Sequence, residues 1–235
     1  MEVVLSSTYK PWLCSYAYDD RPSLTHVYFE PVTDEKELPL GWTAREDCTP
    51  GVAVATDTAV LCIVPCLFQH EGEPPPTEGW MIDAKFLTTV SKQKVSKWED
   101  IRLCRTADGK GVEAATKNGL LRSNFADEGI TFPQWRRIGM SVFEAGLSKE
   151  PIPFINFSPK KLQALMDALG IVAPDAPTLS LCGTLYGAQC VLTADRDVFG
   201  FIAPVKTLGM VEYEAVRSRF ITDDEVNKEV EDEQP

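Results

Sequence analysis

Residues 153–170, PFINFSPKKLQALMDALG, constrain the fold more than any other stretch of this chain. PFINF reads as a strand, Ser158 stands where a helix N-cap belongs, and Pro159 fits the first helical turn. Leu162, Leu165, Met166 and Leu169 then recur at helical spacing, with Lys160, Lys161 and Gln163 on the other face and Gly170 as a stop. Three strand-like runs follow, TLSLCG, AQCVLTA and VFGFIAPV, with turn residues between them. An amphipathic helix beside strands joined by short turns implies helices packed on antiparallel sheet.

The same order occurs twice upstream. WMID precedes AKFLTTVSKQ, in which Phe86, Leu87 and Val90 can face inward while Lys85 and Lys92 share another face. DIRLCRTA, GVEAATK, GLLRSNF and GITFP then read as strands, with DGKG and KNG as turns. Nearest the start, a helix over Leu5 to Tyr16 is weakened by Pro11, and SLTHVYFEP, GVAVATD and VLCIVPC read as strands. Proline, glycine and charge cluster at Leu38 to Gly51, His70 to Gly79 and Gly146 to Pro153, which mark the breaks. The fold class is therefore α+β, with tandem half-repeats of a helix plus antiparallel strands. Their expected bounds are about 1–70 and 78–140, which together make one domain, then a linker over 141–151, a third half-repeat over 152–206 and a tail over 207–235.

Charge is distributed unevenly. The chain of 235 residues carries a net charge of -12, but nine acids and three bases between Glu212 and Pro235 account for -6 of it. The tail thus reads as a short helical piece ending in a solvated acidic segment. Seven cysteines, an odd number at scattered positions, suit a reducing cytoplasm better than a disulfide framework. No apolar run approaches the roughly 20 residues that a membrane span needs. Cys62, Cys66 and His70 share a four-residue spacing, but two of them fall in a strand-like run and no fourth ligand is near, so no metal or other cofactor is expected. Only His26 and His70 exist as histidine bases, and no nucleophile turn accompanies either, which argues against an enzyme. Asp57 reads as a turn former.

Five stretches carry a family likeness, in one order along the chain. EGITFPQWRRIGM resembles the connector G-x-F-P-D-Y-R-R-V of the bacterial sliding clamp, the beta subunit of DNA polymerase III. RPSLTHVYFEP is similar to that family's R-P-x-L-x-G-V-x-F-E strand. GVAVATDTAVLCIVP is similar to its V-A-T-D-G-H-R-L turn, with Thr58, Ala59 and Val60 in place of Gly-His-Arg. FINFSPKKLQALMDALG and DVFGFIAPVK resemble the last helix and the closing strand. The chain has room for three half-repeats where a family subunit has six, so it resembles a shortened, phage-like form. What completes the third half-repeat, another copy or the tail, is left open by the residues.

The resemblance implies a non-enzymatic processivity factor of DNA replication. Duplex DNA would be held weakly and without sequence preference by Lys85, Lys92, Lys160 and Lys161, although the same lysines fit the solvated face of any amphipathic helix. Lys94 and Lys97 are weaker candidates because their helix can already have ended. Replication proteins carrying clamp-binding peptides would bind an apolar groove walled by Leu61, Pro133, Arg137, Ile138, Phe201, Ala203 and Pro204, with Phe132 and Trp135 anchoring the connector in the core. Phe201 and Ala203 depart from the family's residues and alter the groove's volume. A ring of twelve half-repeats would need four such chains, as a homo-oligomer; the alternative is a non-encircling adaptor, decoy or inhibitor of the replication machinery.

Overall fold

Strand β4 (Val60–Gln69) organises the molecule, because β1 and β3 of the first half-repeat and β11 of the third all pair with it. The computed structural model describes residues 1–18, 20–32, 47–96, 99–138, 157–170, 179–183, 189–193 and 199–203. These belong to one compact unit, Met1–Pro204, while Val205–Pro235 forms another that lies outside the described residues, as do the expected linker and PFIN.

The first half-repeat comprises β1 (Glu2–Leu5), β2 (His26–Pro31), β3 (Cys48–Thr56) and β4. The second comprises β5 (Trp80–Asp83), α1 (Ala84–Lys92), β6 (Ile101–Arg105), β7 (Gly111–Thr116) and β8 (Gly119–Asn124). The third holds α2 (Pro159–Ala168), β9 (Leu179–Gly183), β10 (Gln189–Thr193) and β11 (Phe199–Ile202). Two expectations fail. No α-helix forms over Leu5 to Tyr16: after β1 there is only a 3-10 turn, Pro11–Cys14, which ends where Ser15 turns extended at φ -81° and ψ 155°. GITFP forms no strand either, and the chain instead makes a helical turn at 135–138.

The strands run β5-β2-β3-β4-β1-β6-β7-β8, and this path closes on itself. Phe125, just beyond β8, bridges Ile82 of β5, and the Ala126 N–H donates to the Met81 carbonyl at 3.1 Å. An internal symmetry underlies the closure. The opening strand of each half-repeat pairs with the other half-repeat, β1 with β6 and β5 with β2, and each also meets the last strand of its own, β1 on β4 and β5 at the end of β8.

The third half-repeat attaches to the first within the chain. β11 lies antiparallel along Val60 to Ile63 of β4, on the edge where β1 takes Leu67 to Gln69, and so extends the first half-repeat's own sheet. The gap between β11 and β1 falls at residues 64–66 and contains Pro65, so a proline without an N–H is tolerated in a central strand. Helix α2 starts with Pro159 and stops at Gly170, where φ is +69°, although the Ser158 side chain makes no capping hydrogen bond. Its C-terminal end binds the 3-10 turn, with the Lys10 N–H donating to the Ala168 carbonyl at 3.0 Å. Gly200 lets α2 approach β11, since a Cβ there would stand 2.5 Å from Leu165 Cδ1.

Alternation along the strands separates two apolar clusters. Val27, Phe29, Ala53, Ala55, Val60, Cys62 and Val64 face the larger one, which takes Leu87 and Val90 of α1 and Leu165, Ala168 and Leu169 of α2. Tyr28, Val52, Val54, Leu61, Ile63 and Phe201 face the other side, where Phe132 and Trp135 of the connector cover them. Both faces of β3 and β4 are thus buried, which explains their nearly unbroken apolar sequences. Among the described residues no helix is long and apolar enough to cross a membrane.

Candidate functional site

The turn between β3 and β4 is built by its own polar side chains. Asp57 Oδ1 accepts from the Ala59 and Val60 N–H groups, both at 3.0 Å, and the Thr56 hydroxyl donates to the Val60 carbonyl at 2.7 Å. These bonds hold Thr58 at φ +79°, a left-handed conformation that a β-branched residue rarely adopts. The other Asp57 oxygen pairs with Lys161 of α2, and the Ala203 N–H donates to the Ala59 carbonyl at 2.7 Å. Asp57 is therefore a turn former that also secures the third half-repeat. Lys161, expected among the phosphate-facing cations, has its ammonium engaged by this buried carboxylate.

Beside the turn, Leu61 and Phe201 lie opposite each other across β4 and β11 and share the second cluster with Phe132. Leu61 is 3% and Phe201 2% exposed, so they form a closed floor rather than open walls. Phe132 stacks on Tyr28 with ring centroids 5.3 Å apart. Trp135 donates from Nε1 to Glu30 Oε2 at 2.8 Å, Arg136 Nη1 donates to Glu30 Oε1 at 2.5 Å, and the guanidinium lies 4.3 Å from the centre of the Trp135 ring. One carboxylate of β2 thereby ties down two successive connector residues. Burial, with the Glu30 charge beside it, pushes the Tyr28 phenol above its ordinary pKa.

The rest of the expected groove is shallower. Pro133 is half-buried, Arg137 and Ile138 are exposed, Ala203 is half-buried, and Pro204 lies outside the described residues. The sequence reading missed Tyr28, Glu30 and Arg136. Glu30 was visible as the acid closing RPSLTHVYFEP, but its pairing with residues about a hundred positions later was not.

Across the sheet, Lys85 and Lys92 are exposed on α1 and stand two helical turns apart, hence on one side, and Lys160 is exposed on α2. Lys94 follows the helix end, donates to the Glu99 carbonyl at 2.7 Å, and has its pKa lowered by burial, while Lys97 lies outside the described residues. Cys62 and Cys66 are buried on the helical side, and burial drives both thiols well above their ordinary pKa. His70 bonds Thr49 through Nε2 and the Glu73 carbonyl through Nδ1, so Nδ1 carries the proton and Nε2 accepts. Among the described residues no cluster of His, Cys, Asp and Glu has a metal-binding arrangement.

A closed antiparallel sheet with helices on one face, repeated with internal symmetry and extended edge to edge, is the sliding-clamp fold. The Caulobacter crescentus DNA polymerase III beta subunit matches with a TM-score of 0.58 and 14% identity over 88% of this chain and 66% of its own. The beta chain from Streptococcus pneumoniae matches with a TM-score of 0.56 and 12% identity over 88% of this chain. The Pseudomonas aeruginosa sliding clamp bound to griselimycin matches with a TM-score of 0.54 and 12% identity. This chain spans 65% of the length of the streptococcal one. No family model matches the sequence, and no curated protein matches it.

Proposed function

We propose that this protein is a shortened sliding-clamp-type factor of DNA replication, which faces duplex DNA with its helical side and replication proteins with its connector side. The observation that carries the reading is the division of labour between the two faces. Exposed lysines of α1 and α2 stand on the side of the first apolar cluster, and the connector with exposed Ile138 and Arg137 covers the second. Lysines act on phosphates as point charges and release counterions, which suits weak binding without sequence preference. On the other side, Pro133, Arg137, Ile138 and Ala203 would receive an extended peptide over the floor made by Leu61 and Phe201. Because that floor is already filled, the anchor it takes is shallower than in a clamp with an empty pocket.

Retention on nicked circular duplex, compared with the same DNA linearised, tests the reading. Encirclement predicts retention on the circle and loss from the linear form, and Lys85→Glu with Lys92→Glu and Lys160→Glu should weaken retention and flatten its salt dependence. Ile138→Asp should abolish binding of a clamp-binding peptide without unfolding the chain, because the residue is 41% exposed. Absence of both activities in the wild type leaves the fold without the function. The alternative is a non-encircling adaptor, which peptide binding without retention on circles would select.

A further inference from the structure

Strand register brings two cysteines of the third half-repeat together. Cys190 of β10 stands directly opposite Cys182 of β9, and on its other side opposite Phe201 of β11, which is itself opposite Leu61 of β4. Directly opposed residues of antiparallel strands belong to one face of a sheet. Cys182, Cys190, Phe201 and Leu61 therefore form one row across four strands, on the face that carries the second apolar cluster. Among the described residues β9 pairs only with β10, so the row ends at Cys182 on an edge strand.

Hydrogen-bond alternation fixes the spacing of this pair. The Ala203 N–H donates to the Ala59 carbonyl at 2.7 Å, so 59 with 203, and two residues on Leu61 with Phe201, are hydrogen-bonded rungs. Phe201 thus turns its N–H and C=O away from β10, Cys190 turns its own away from β11, and Cys190 meets Cys182 as a hydrogen-bonded rung. Such rungs hold their Cα atoms about 5.5 Å apart, within the roughly 4.4–6.8 Å that a disulfide bridges. The other described cysteines lack either a partner or access. Cys14 and Cys62 hydrogen-bond each other but are both 0% exposed, and burial pushes the Cys62 thiol well above its ordinary pKa. Cys66 is buried, Cys48 stands opposite Gln69, and exposed Cys104 stands between Glu2 and Glu113, where partial burial and the two carboxylates raise its pKa.

We infer that Cys182 and Cys190 form a modification site, a dithiol that closes reversibly to a cross-strand disulfide with a small-molecule disulfide as its oxidant. The Cys182 thiolate, on the edge strand, attacks one sulfur of the oxidant and expels the other as a thiolate. The Cys190 thiolate then attacks the Cys182 sulfur and expels the second. The protein gives up two electrons and two protons, and one oxidant disulfide becomes two thiols. The new bond ties together the outer two members of the row to which Phe201 belongs, and so stiffens the sheet of the third half-repeat. This inference requires neither DNA nor peptide binding.

The full chain, reduced and then equilibrated in glutathione buffers of rising oxidised fraction, tests it. After the remaining thiols are alkylated, chymotryptic cleavage at Tyr186, which lies between the two cysteines, leaves their peptides joined only where the bond has formed. We expect that link at a glutathione disulfide concentration about tenfold below the one that adds glutathione to Cys104, because the second thiol is already in place. Dithiothreitol should remove it. Cys182→Ser and Cys190→Ser should each abolish the link while melting like the reduced wild type. Amide exchange across β9 to β11 should slow by about threefold or more on oxidation, and only in the wild type. Glutathione on Cys104 before any link overturns the inference. So does a link between Cys14 and Cys62 in its place, or exchange that oxidation leaves unchanged.

Discussion

Glu30 and Thr58 show how much a single side chain can decide at the connector face. Glu30 accepts from both Trp135 and Arg136, and without it the half-buried indole N–H loses its partner. Glu30→Ala should therefore cost about 1–3 kcal/mol, read from denaturant midpoints, and should red-shift the Trp135 emission as the connector loosens. Thr58 pays a steric penalty at φ +79°. The left-handed conformation costs a β-branched residue about 1–2 kcal/mol, and glycine returns part of that as chain entropy, so Thr58→Gly should stabilise the protein by up to about 1 kcal/mol. Tyr28 adds a pH dependence. Its phenol is held above the ordinary value in the folded protein, so the unfolded chain ionises first. Stability is then fully present below about pH 10 and falls as pH rises through the folded value, a loss that Tyr28→Phe should remove from melts recorded on either side of that pH.

At the scale of elements, the critical junction is α2 against β11 and the 3-10 turn. Gly200 and Gly170 are both places where backbone approach leaves no room for a side chain. At Gly200 an added Cβ would meet Leu165 Cδ1 at 2.5 Å and the Leu61 carbonyl at 2.9 Å. Gly200→Ala should cost about 1–3 kcal/mol, because the helix must move away from the strand. Proteolysis or hydrogen exchange under native conditions should show the local loosening greatest in the third half-repeat; equal loosening in β5 to β8 would show that the strain at Gly200 is not local. The sequence signal for α2 was strong, since cap position, periodicity and stop residue agreed, whereas that for α1 rested on periodicity alone. The signal for a first helix misled: its apolar residues Trp12 and Cys14 are buried, but within four residues of 3-10 turn.

For the whole molecule, one core spans all three half-repeats. Cys14, Cys62 and Cys66 belong to it and are buried, and burial holds the Cys62 and Cys66 thiols protonated. All three should resist a maleimide in the native protein, whereas exposed Cys104 should react. Alkylation mapped by mass spectrometry across a denaturant series should show the three becoming reactive together. Separate midpoints would mean that the core is not one cooperative body.

Periodicity and turn chemistry act over a few residues, so the order of strands, the two main helices, the turn at Asp57 and the lysine-bearing faces were legible in the sequence. The closing of β5 on β8, the pairing of β11 with β4 and the choice of Asp57 as partner for Lys161 join residues far apart in the chain. Nothing local encodes which edge a strand will take. Phe201 illustrates the limit: its place with Leu61 in one groove was expected from resemblance, but its pairing opposite Leu61 and its burial at 2% exposure depend on how β11, β4 and the connector pack together. Sequence placed these side chains on their elements; only the volume left between the packed faces decided whether they would form a wall or a floor.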